Sequence, residues 1–511
     1  MRTEKSIINL ITGIFSIFLI SFGKFFTTKI FIEKLGADLN GLYQIFIQIS
    51  AYLSLAEGGM GTSLIFILYT PLSEKNTSKI NELLSAAKKI YRYIGLGIFF
   101  ISIPLSLKLN FFINTSLNKK ELSLLFILYI FRISIDYFTN ISRFLFQADQ
   151  KEYRINLITT IIKVLDLILQ YLLLVYNFSL YFIFVKDILV IFFINLIIEN
   201  KVKKEYTWLN LNNKTLDYSF IKNMKYLLIH TLCSAIVYNT DYILLGKFKT
   251  LTDVTLYSNY LMLINFSLSI PLKGINSIGA SIGNLLNENN LKKTKQIFLE
   301  LFNITFYIAS LSGVILYFTI SDFIELWLGK KFILDNISII ILIILYLHSL
   351  IRQPAGILVN SAGLFKETQN SVILEMSLNL ILSLFMVKKY GIRGVLLGTL
   401  LAHLFSNFWY YPFICYKFVL KDKIKKYFSL FFQNLFELVI LFLVIKFLLD
   451  KYFNFKLSIY VFTIKIILII FLTFIIQTFY YYLRWKSFRD FINRIYNLIL
   501  LQKIYKFRRK I

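Results

Sequence analysis

Apolar runs of roughly 18 residues or more, the length that crosses bilayer hydrocarbon, follow one another along almost the whole chain. Spans are expected at approximately 7–32, 41–69, 90–113, 122–146, 155–176, 178–198, 223–246, 254–283, 297–320, 337–361, 370–388, 393–416, 429–449 and 458–483, about fourteen helices in all. Of the 511 residues 57% are apolar and only 16% charged, with a mean hydropathy of +0.67. A water-soluble domain of that size needs more polar surface than this. The fold class read from the sequence is therefore an all-α polytopic membrane protein.

A formal net charge of +28 would suggest nucleic acid in a soluble protein; here the placement of the charge carries the information, and no nucleic-acid partner is expected. With the amino terminus inside, the inner connections run over Lys75 to Arg92, Lys201 to Lys225, Lys292 to Lys295, Lys417 to Lys426 and the tail from Arg484. They hold about 33 Lys and Arg against roughly 14 on the other side. The expected location is a bacterial inner membrane with both termini cytoplasmic. The first run follows a basic start, yet it lacks a small-residue cleavage site and stays apolar through Ile32, which predicts an uncleaved first helix. Cys233 and Cys415 are expected to be buried free thiols.

The chain carries an internal repeat. Leu53 to Arg92 is a glycine-broken apolar helix (Glu57, Gly58, Gly59, Gly61) that ends at Tyr69-Thr70-Pro71, followed by a polar loop and a lysine-rich amphipathic stretch. A fainter copy has Pro271, Gly274, Gly279 and Gly283 and then a polar run from Asn284. Ala148 through Glu152 is likewise echoed by Ala362 through Glu367. Two repeats in the same order and orientation predict two six-helix lobes related about an axis normal to the membrane. The expected boundaries are 1–199 for the first lobe, 200–222 for a cytoplasmic linker, 223–418 for the second lobe, 419–483 for two further helices and 484–511 for a basic amphipathic tail. In that tail Phe488, Phe491, Ile492, Ile495, Leu498 and Leu501 share a face suited to an anionic leaflet.

Charges inside such spans ask for a partner, an aqueous cavity or a place near the interface. Lys24 lies well inside the first span, where snorkelling competes with a cavity role. Arg132 and Asp136 are one turn apart and able to pair; Lys163 and Asp166 are placed for an internal ion pair; Lys186 and Asp187, adjacent in sequence, cannot face each other on a helix. Lys273 follows Pro271, and Arg352 follows His348 and precedes Gln353-Pro354, both beside predicted helix breaks where freed backbone and a cation can meet an anion. Asp241 lies one turn from the outer end of its span. Cations outnumber anions in the first ten spans, which suits an anionic substrate, above all a phosphate or pyrophosphate. A cavity for organic cations would instead be acidic and aromatic.

Arg2-Thr3, Ser6, Asn9, Lys24, Leu35-Gly36, Gly41-Leu42-Tyr43, the run from Leu53 to Gly61 and Leu68-Tyr69-Thr70-Pro71-Leu72 resemble the polysaccharide flippases of the multidrug/oligosaccharidyl-lipid/polysaccharide exporter superfamily. The likeness is nearest to flippases of lipopolysaccharide O-antigen and capsule repeat units, and its specific residues fall mainly in the first ninety or so. The resemblance implies a V-shaped pair of lobes and alternating access. It also implies movement of an oligosaccharide on undecaprenyl pyrophosphate from inner to outer leaflet, with a glycan polymerase as a candidate partner. A cationic central cavity follows from the same resemblance and is carried, by position in the helices, to Lys24, Arg132, Lys273 and Arg352; Asp136 and Asp241 are the candidates for ion coupling or counter-ions. The glycine-rich segment around Glu57 is expected to serve packing and bending.

Three other functions compete with this one: a lipid II flippase, a cation-coupled drug antiporter, and a membrane glycan polymerase or ligase. No Ser-His-Asp set, metal cluster, nucleotide loop or large outer loop is found in the sequence, so no catalytic residue, metal or cofactor is expected, and the chain is read as a transporter rather than an enzyme.

Overall fold

The structure, a computed structural model, describes residues 2–221, 225–276, 278–288, 290–453 and 455–494. The described residues are helical nearly throughout: α1 (Arg2–Leu35), α2 (Ala37–Leu53), α3 (Met60–Ser73), α4 (Thr77–Leu107), α5 (Lys119–Thr139), α6 (Ser142–Ala148), α7 (Glu152–Val175), α8 (Leu180–Glu205), α9 (Lys225–Phe248) and α10 (Leu251–Asn276). There follow α11 (Gly279–Asn287), α12 (Leu291–Leu328), α13 (Asn336–Ile351), α14 (Gln353–Ser361), α15 (Phe365–Tyr390), α16 (Ile392–Phe405), α17 (Asn407–Ile414), α18 (Lys425–Tyr452) and α19 (Ile459–Arg484). Among the described residues twelve helices, counting α10 with α11 and α13 with α14, are long and apolar enough to cross a membrane, and the bent pair α2–α3 makes thirteen. The protein is an all-α multi-pass membrane protein.

The remaining expected span, 393–416, is interrupted. α16 ends at Phe405, Ser406 adopts φ −123° and ψ −92°, α17 follows, and a π-helical turn covers Cys415–Val419. Neither half reaches the length a single crossing needs. The glycine-rich break is also local in origin. Gly58 and Gly59 take φ of 57° and 78°, a region open to glycine at little cost, and α2 and α3 meet there at a 42° bend. The Glu57 carboxylate pins the break by accepting from Tyr91 at 2.5 Å and Tyr137 at 3.4 Å, so the segment serves bending and packing, as its composition suggests.

The chain forms two compact units, one of Met1–Met262 with Val372–Ala402 and one of Leu263–Ser371 with His403–Ile511. In the first unit α1 and α7 lie side by side and parallel: Thr160 bonds Ser16 at 2.6 Å, and a Cβ on Gly23 would meet Leu167 at 2.6 Å. α9 and the start of α10 also close on α2. The Gly41 backbone approaches Leu251 so tightly that a Cβ would sit 2.0 Å from its carbonyl oxygen; Thr252 donates to Asp38 at 2.6 Å and Thr255 to the Ala37 carbonyl at 2.6 Å.

The segment read as a linker between lobes is tied down over 206–221. Asn81 bonds the Trp208 carbonyl and the Asn210 amide, Ser63 donates to the Phe220 carbonyl at 2.5 Å, and Lys79 pairs with Asp217 at 2.8 Å. Burial raises the Asp217 carboxyl, but the bonds from Lys79 and Ser219 outweigh it and hold the group below its ordinary range.

In the second unit Val314, Leu441, Ile445, Leu449 and Ile469 make a core shared by α12, α18 and α19. The tail begins by docking on the protein: Phe488 packs with Tyr307 and Tyr481, and Arg494 pairs at 2.9 Å with the buried Glu300. Phe488 and Ile492 are thus engaged by protein rather than lipid, while Ile495, Leu498 and Leu501 lie outside the described residues. Cys233 and Cys415 are buried free thiols.

Candidate functional site

Lys163 sits at the middle of α7, and Lys24 lies well inside α1, eleven residues before its end at Leu35. At about 1.5 Å per residue Lys163 is roughly 17 Å from either end of α7, and Lys24 roughly 17 Å from the carboxyl end of α1. Both residues also point away from the apolar stripes of their helices. On α1 the exposed stripe is Phe15, Phe18, Phe22 and Phe26; on α7 it includes Leu157, Ile161, Leu165 and Ile168. Lys24 stands two residues from Phe22 and Phe26, and Lys163 two from Ile161 and Leu165, which places each lysine on the opposite helix face at about 100° per residue. Both side chains are nevertheless exposed. Two ammonium groups well inside their helices are therefore exposed on the faces opposite those stripes, and each lies within electrostatic reach of Arg132 on α5.

The carboxylates that sequence spacing offers these cations are taken by other groups. Asp166 pairs across helices with Lys186 on α8 at 2.6 Å, leaving Lys163 without that partner. Lys186 also pairs with its neighbour Asp187 at 2.7 Å. This corrects the expectation that adjacent residues on a helix cannot meet, because a long lysine stem folds back over its own turn. The expected Arg132–Asp136 pair gives way to another arrangement. Asp136 accepts from Asn195 at 2.8 Å, Asn195 accepts from Arg143 at 3.0 Å, and the Arg132 guanidinium stands 5.9 Å from the Tyr129 ring with its Nε buried and unbonded. The first unit thus presents Lys24, Arg132 and Lys163 without a salt bridge among the described residues, Asp166 and Asp136 being bonded to other groups. Lys163 was not among the predicted site residues. Its signal in the sequence was its mid-span position; the pairing of Asp166 with another helix could not be read there.

Lys273 and Arg352 belong to the second unit. α10–α11 and α13–α14 run parallel there, with Ser267 bonded to Tyr346 at 3.1 Å and Ser361 to the Gly279 carbonyl at 3.2 Å. Lys273 and Arg352 each follow the first of these contacts by six residues, which puts them at one level on neighbouring segments. Arg352 forms the C-terminal cap of α13, where a cation complements the helix dipole.

Asp241 on α9 is 2% exposed. Its Oδ2 accepts from Tyr257 at 3.0 Å and lies 3.1 Å from the Thr399 hydroxyl, while its Oδ1 is buried with no partner. Asn379 donates to Thr399 at 2.9 Å and has its own Oδ1 buried and unbonded. Ser383 and the Val395 carbonyl complete a set of oxygens. Glycines make the set: a Cβ on Gly398 would meet the Ser383 backbone nitrogen at 2.7 Å, and one on Gly394 the Met386 carbonyl at 2.3 Å, so α16 lies directly against α15. A carboxylate and neutral oxygens gathered in this way suit a proton or a small hard cation.

No family model matches the chain, and no curated protein matches its sequence. Solved structures do. The lipid II flippase MurJ in an inward closed conformation matches with a TM-score of 0.70 at 18% identity, covering 95% of this chain and 100% of that one. An inward-facing multidrug resistance MATE family transporter of the MOP superfamily matches at 0.65 and 13% identity, covering 82% and 99%. A point mutant of the Vibrio cholerae MATE transporter VcmN matches at 0.61 and 14%, covering 83% and 99%. The chain therefore has the fold shared by these solved structures.

Proposed function

We propose that this protein is a flippase for an anionic, lipid-linked oligosaccharide, moving undecaprenyl-pyrophosphate-bound glycan repeat units of the O-antigen or capsule type from the inner to the outer leaflet. The observation that carries the reading is the pair of lysines well inside their helices, Lys24 and Lys163, exposed beside Arg132 while Asp166 and Asp136 are bonded to other groups. An uncompensated cation in a membrane interior costs free energy that a structural role does not return, and a pyrophosphate gives it a partner. Lys273 and Arg352 are assigned to the same substrate from the second unit. The surplus of positive charge speaks against an exporter of organic cations, for which acidic groups would be needed. On this reading the chain is a transporter and not an enzyme.

Alternating access would move residues 1–199 against 223–418 as lobes, with the inner-membrane orientation and cytoplasmic termini taken from the lysine and arginine bias. In that orientation the contacts of Asp38, Gly41 and Ala37 with the start of α10 lie at the outer face and form its seal. Asp241, with Thr399, Ser383 and Asn379, is the coupling site: it takes up a proton or a small cation and so links the position of α16 to the gradient. Asp136, bonded through Asn195 to Arg143, is a counter-ion. A glycan polymerase would take the product.

A second reading, lipid II as the substrate, is favoured by the similarity to MurJ over almost the whole chain. Deletion in the source organism separates the two. Loss of surface glycan with normal growth supports the oligosaccharide reading. Lysis on depletion with glycan retained supports lipid II.

A further inference from the structure

α12 and α18 each begin at one end of the second unit, and between their first turns lies a recess of about 600 Å³. Its lining includes Lys295, Tyr416, Asp422, Lys425, Lys426 and Ser429. Asp422 holds Lys295 at 3.0 Å and Lys426 at 2.9 Å through one carboxylate oxygen, and these bonds keep it ionised well below the ordinary carboxylate range. Three lysines against one aspartate leave the recess with a surplus of positive charge, and the Lys425 ammonium has no ion-pair partner among the described residues. The nearby acid on α12, Glu300, is taken by Arg494 and Gln296.

The recess opens onto a ridge. Ser429 at its wall is followed along the same face of α18 by Phe432, Phe436, Val439 and Leu443, exposed by 58, 67, 44 and 57%. Cationic pocket and apolar ridge stand in the order of an acidic lipid's headgroup and chains.

We propose that this recess binds the phosphate headgroup of an acidic glycerophospholipid of the surrounding bilayer, whose acyl chains run down the exposed face of α18. Lys425, the recess ammonium that Asp422 does not engage, offers the first contact to a headgroup phosphate, and the apolar ridge beyond Ser429 accepts the chains of a bilayer lipid. Asp422 competes with the lipid for Lys295 and Lys426, so its removal strengthens binding rather than weakening it.

Native mass spectrometry of the purified full chain, titrated separately with phosphatidylglycerol, phosphatidylcholine and undecaprenyl pyrophosphate, tests the assignment. Phosphatidylglycerol should bind about fivefold better than phosphatidylcholine, Lys425→Gln should lose about that factor, and Asp422→Asn should gain about that factor. Lys24→Gln, remote in sequence and in the other unit, should bind phosphatidylglycerol as the parent does, which keeps this result separate from the substrate reading. Equal binding of the two glycerophospholipids, no gain in Asp422→Asn, or a Lys425→Gln loss that falls on undecaprenyl pyrophosphate rather than on phosphatidylglycerol overturns the proposal. Should Asp422→Asn fail to fold, the exposed Lys425→Gln decides alone.

Discussion

Replacing Lys186 with methionine removes the one cation that both Asp166 and Asp187 hold, at 2.6 and 2.7 Å, from a side chain only 5% exposed. Methionine keeps most of the stem, so packing changes little and the charge is what is lost. Breaking a buried ion pair typically costs about 3–5 kcal/mol because the remaining charge is left uncompensated. The Asp166 and Asp187 side chains retain 21 and 9% exposure, and that residual contact with solvent argues for the lower end, about 3 kcal/mol. For a chain this long the matching fall in Tm is roughly 3–6 °C, extrapolating the dependence on size. Thermal unfolding in detergent, followed by tryptophan fluorescence, reads it. The triple variant Lys186→Met, Asp166→Asn, Asp187→Asn should recover most of the loss. Lys163→Met, which removes a cation without that pairing, should leave Tm within about 1 °C, as substitutions away from such features do. An unchanged Tm in Lys186→Met, or an equal loss in Lys163→Met, refutes the division between structural and substrate-facing cations.

Gly41→Ala should strip the contact between α2 and the start of α10, because the added Cβ would lie 2.0 Å from a backbone oxygen; a Tm loss of a few degrees and a shift toward outward-accessible cysteine labelling are expected, at a cost of about 1–3 kcal/mol for overpacking. Joining Asp38→Cys and Thr252→Cys with a short dithiol reagent should stop transport, and cleaving the link should restore it; full transport in the linked protein would remove the outer seal from the mechanism. Asp241→Asn should keep the fold and abolish dependence on the ion gradient, measured as transport with the gradient present and collapsed. The Asp217 carboxyl is held below its ordinary value of 3.8, so its contribution is present above that value and is lost as pH falls through the lower folded value. Proteolysis of the 206–221 segment should thus be flat above about pH 5 and rise uniformly in Asp217→Asn.

The apolar runs made the number and order of helices legible, because length and hydropathy are local properties. The glycines at 58 and 59 likewise announced the bend that they make. The break at Ser406 is masked because the run from 393 to 416 is apolar on average, although Ser406-Asn407 at the break and Pro412 beyond it are polar or helix-disfavouring residues that mark it. Among the charged residues, spacing along a helix suggested Arg132 with Asp136 and Lys163 with Asp166. The structure instead gives both acids partners on α8, Asn195 for Asp136 and Lys186 for Asp166. Such choices depend on which helix lies beside which, and a single sequence does not carry that. For the same reason Asp241 was visible as an acid in a span, while its neighbours Ser383, Asn379 and Thr399, more than a hundred residues away, were not.

The central claim is that Lys24, Lys163 and Arg132 receive an anionic lipid-linked substrate. Flipping of undecaprenyl-pyrophosphate oligosaccharide in proteoliposomes containing the purified protein tests it most directly. The account predicts flipping by the parent protein, a loss of about tenfold or more in Lys24→Gln and in Lys163→Gln, each removing a charged contact worth about 1.5–3 kcal/mol, and Tm values unchanged in both. Undiminished flipping by the Lys24→Gln, Lys163→Gln double variant would contradict it.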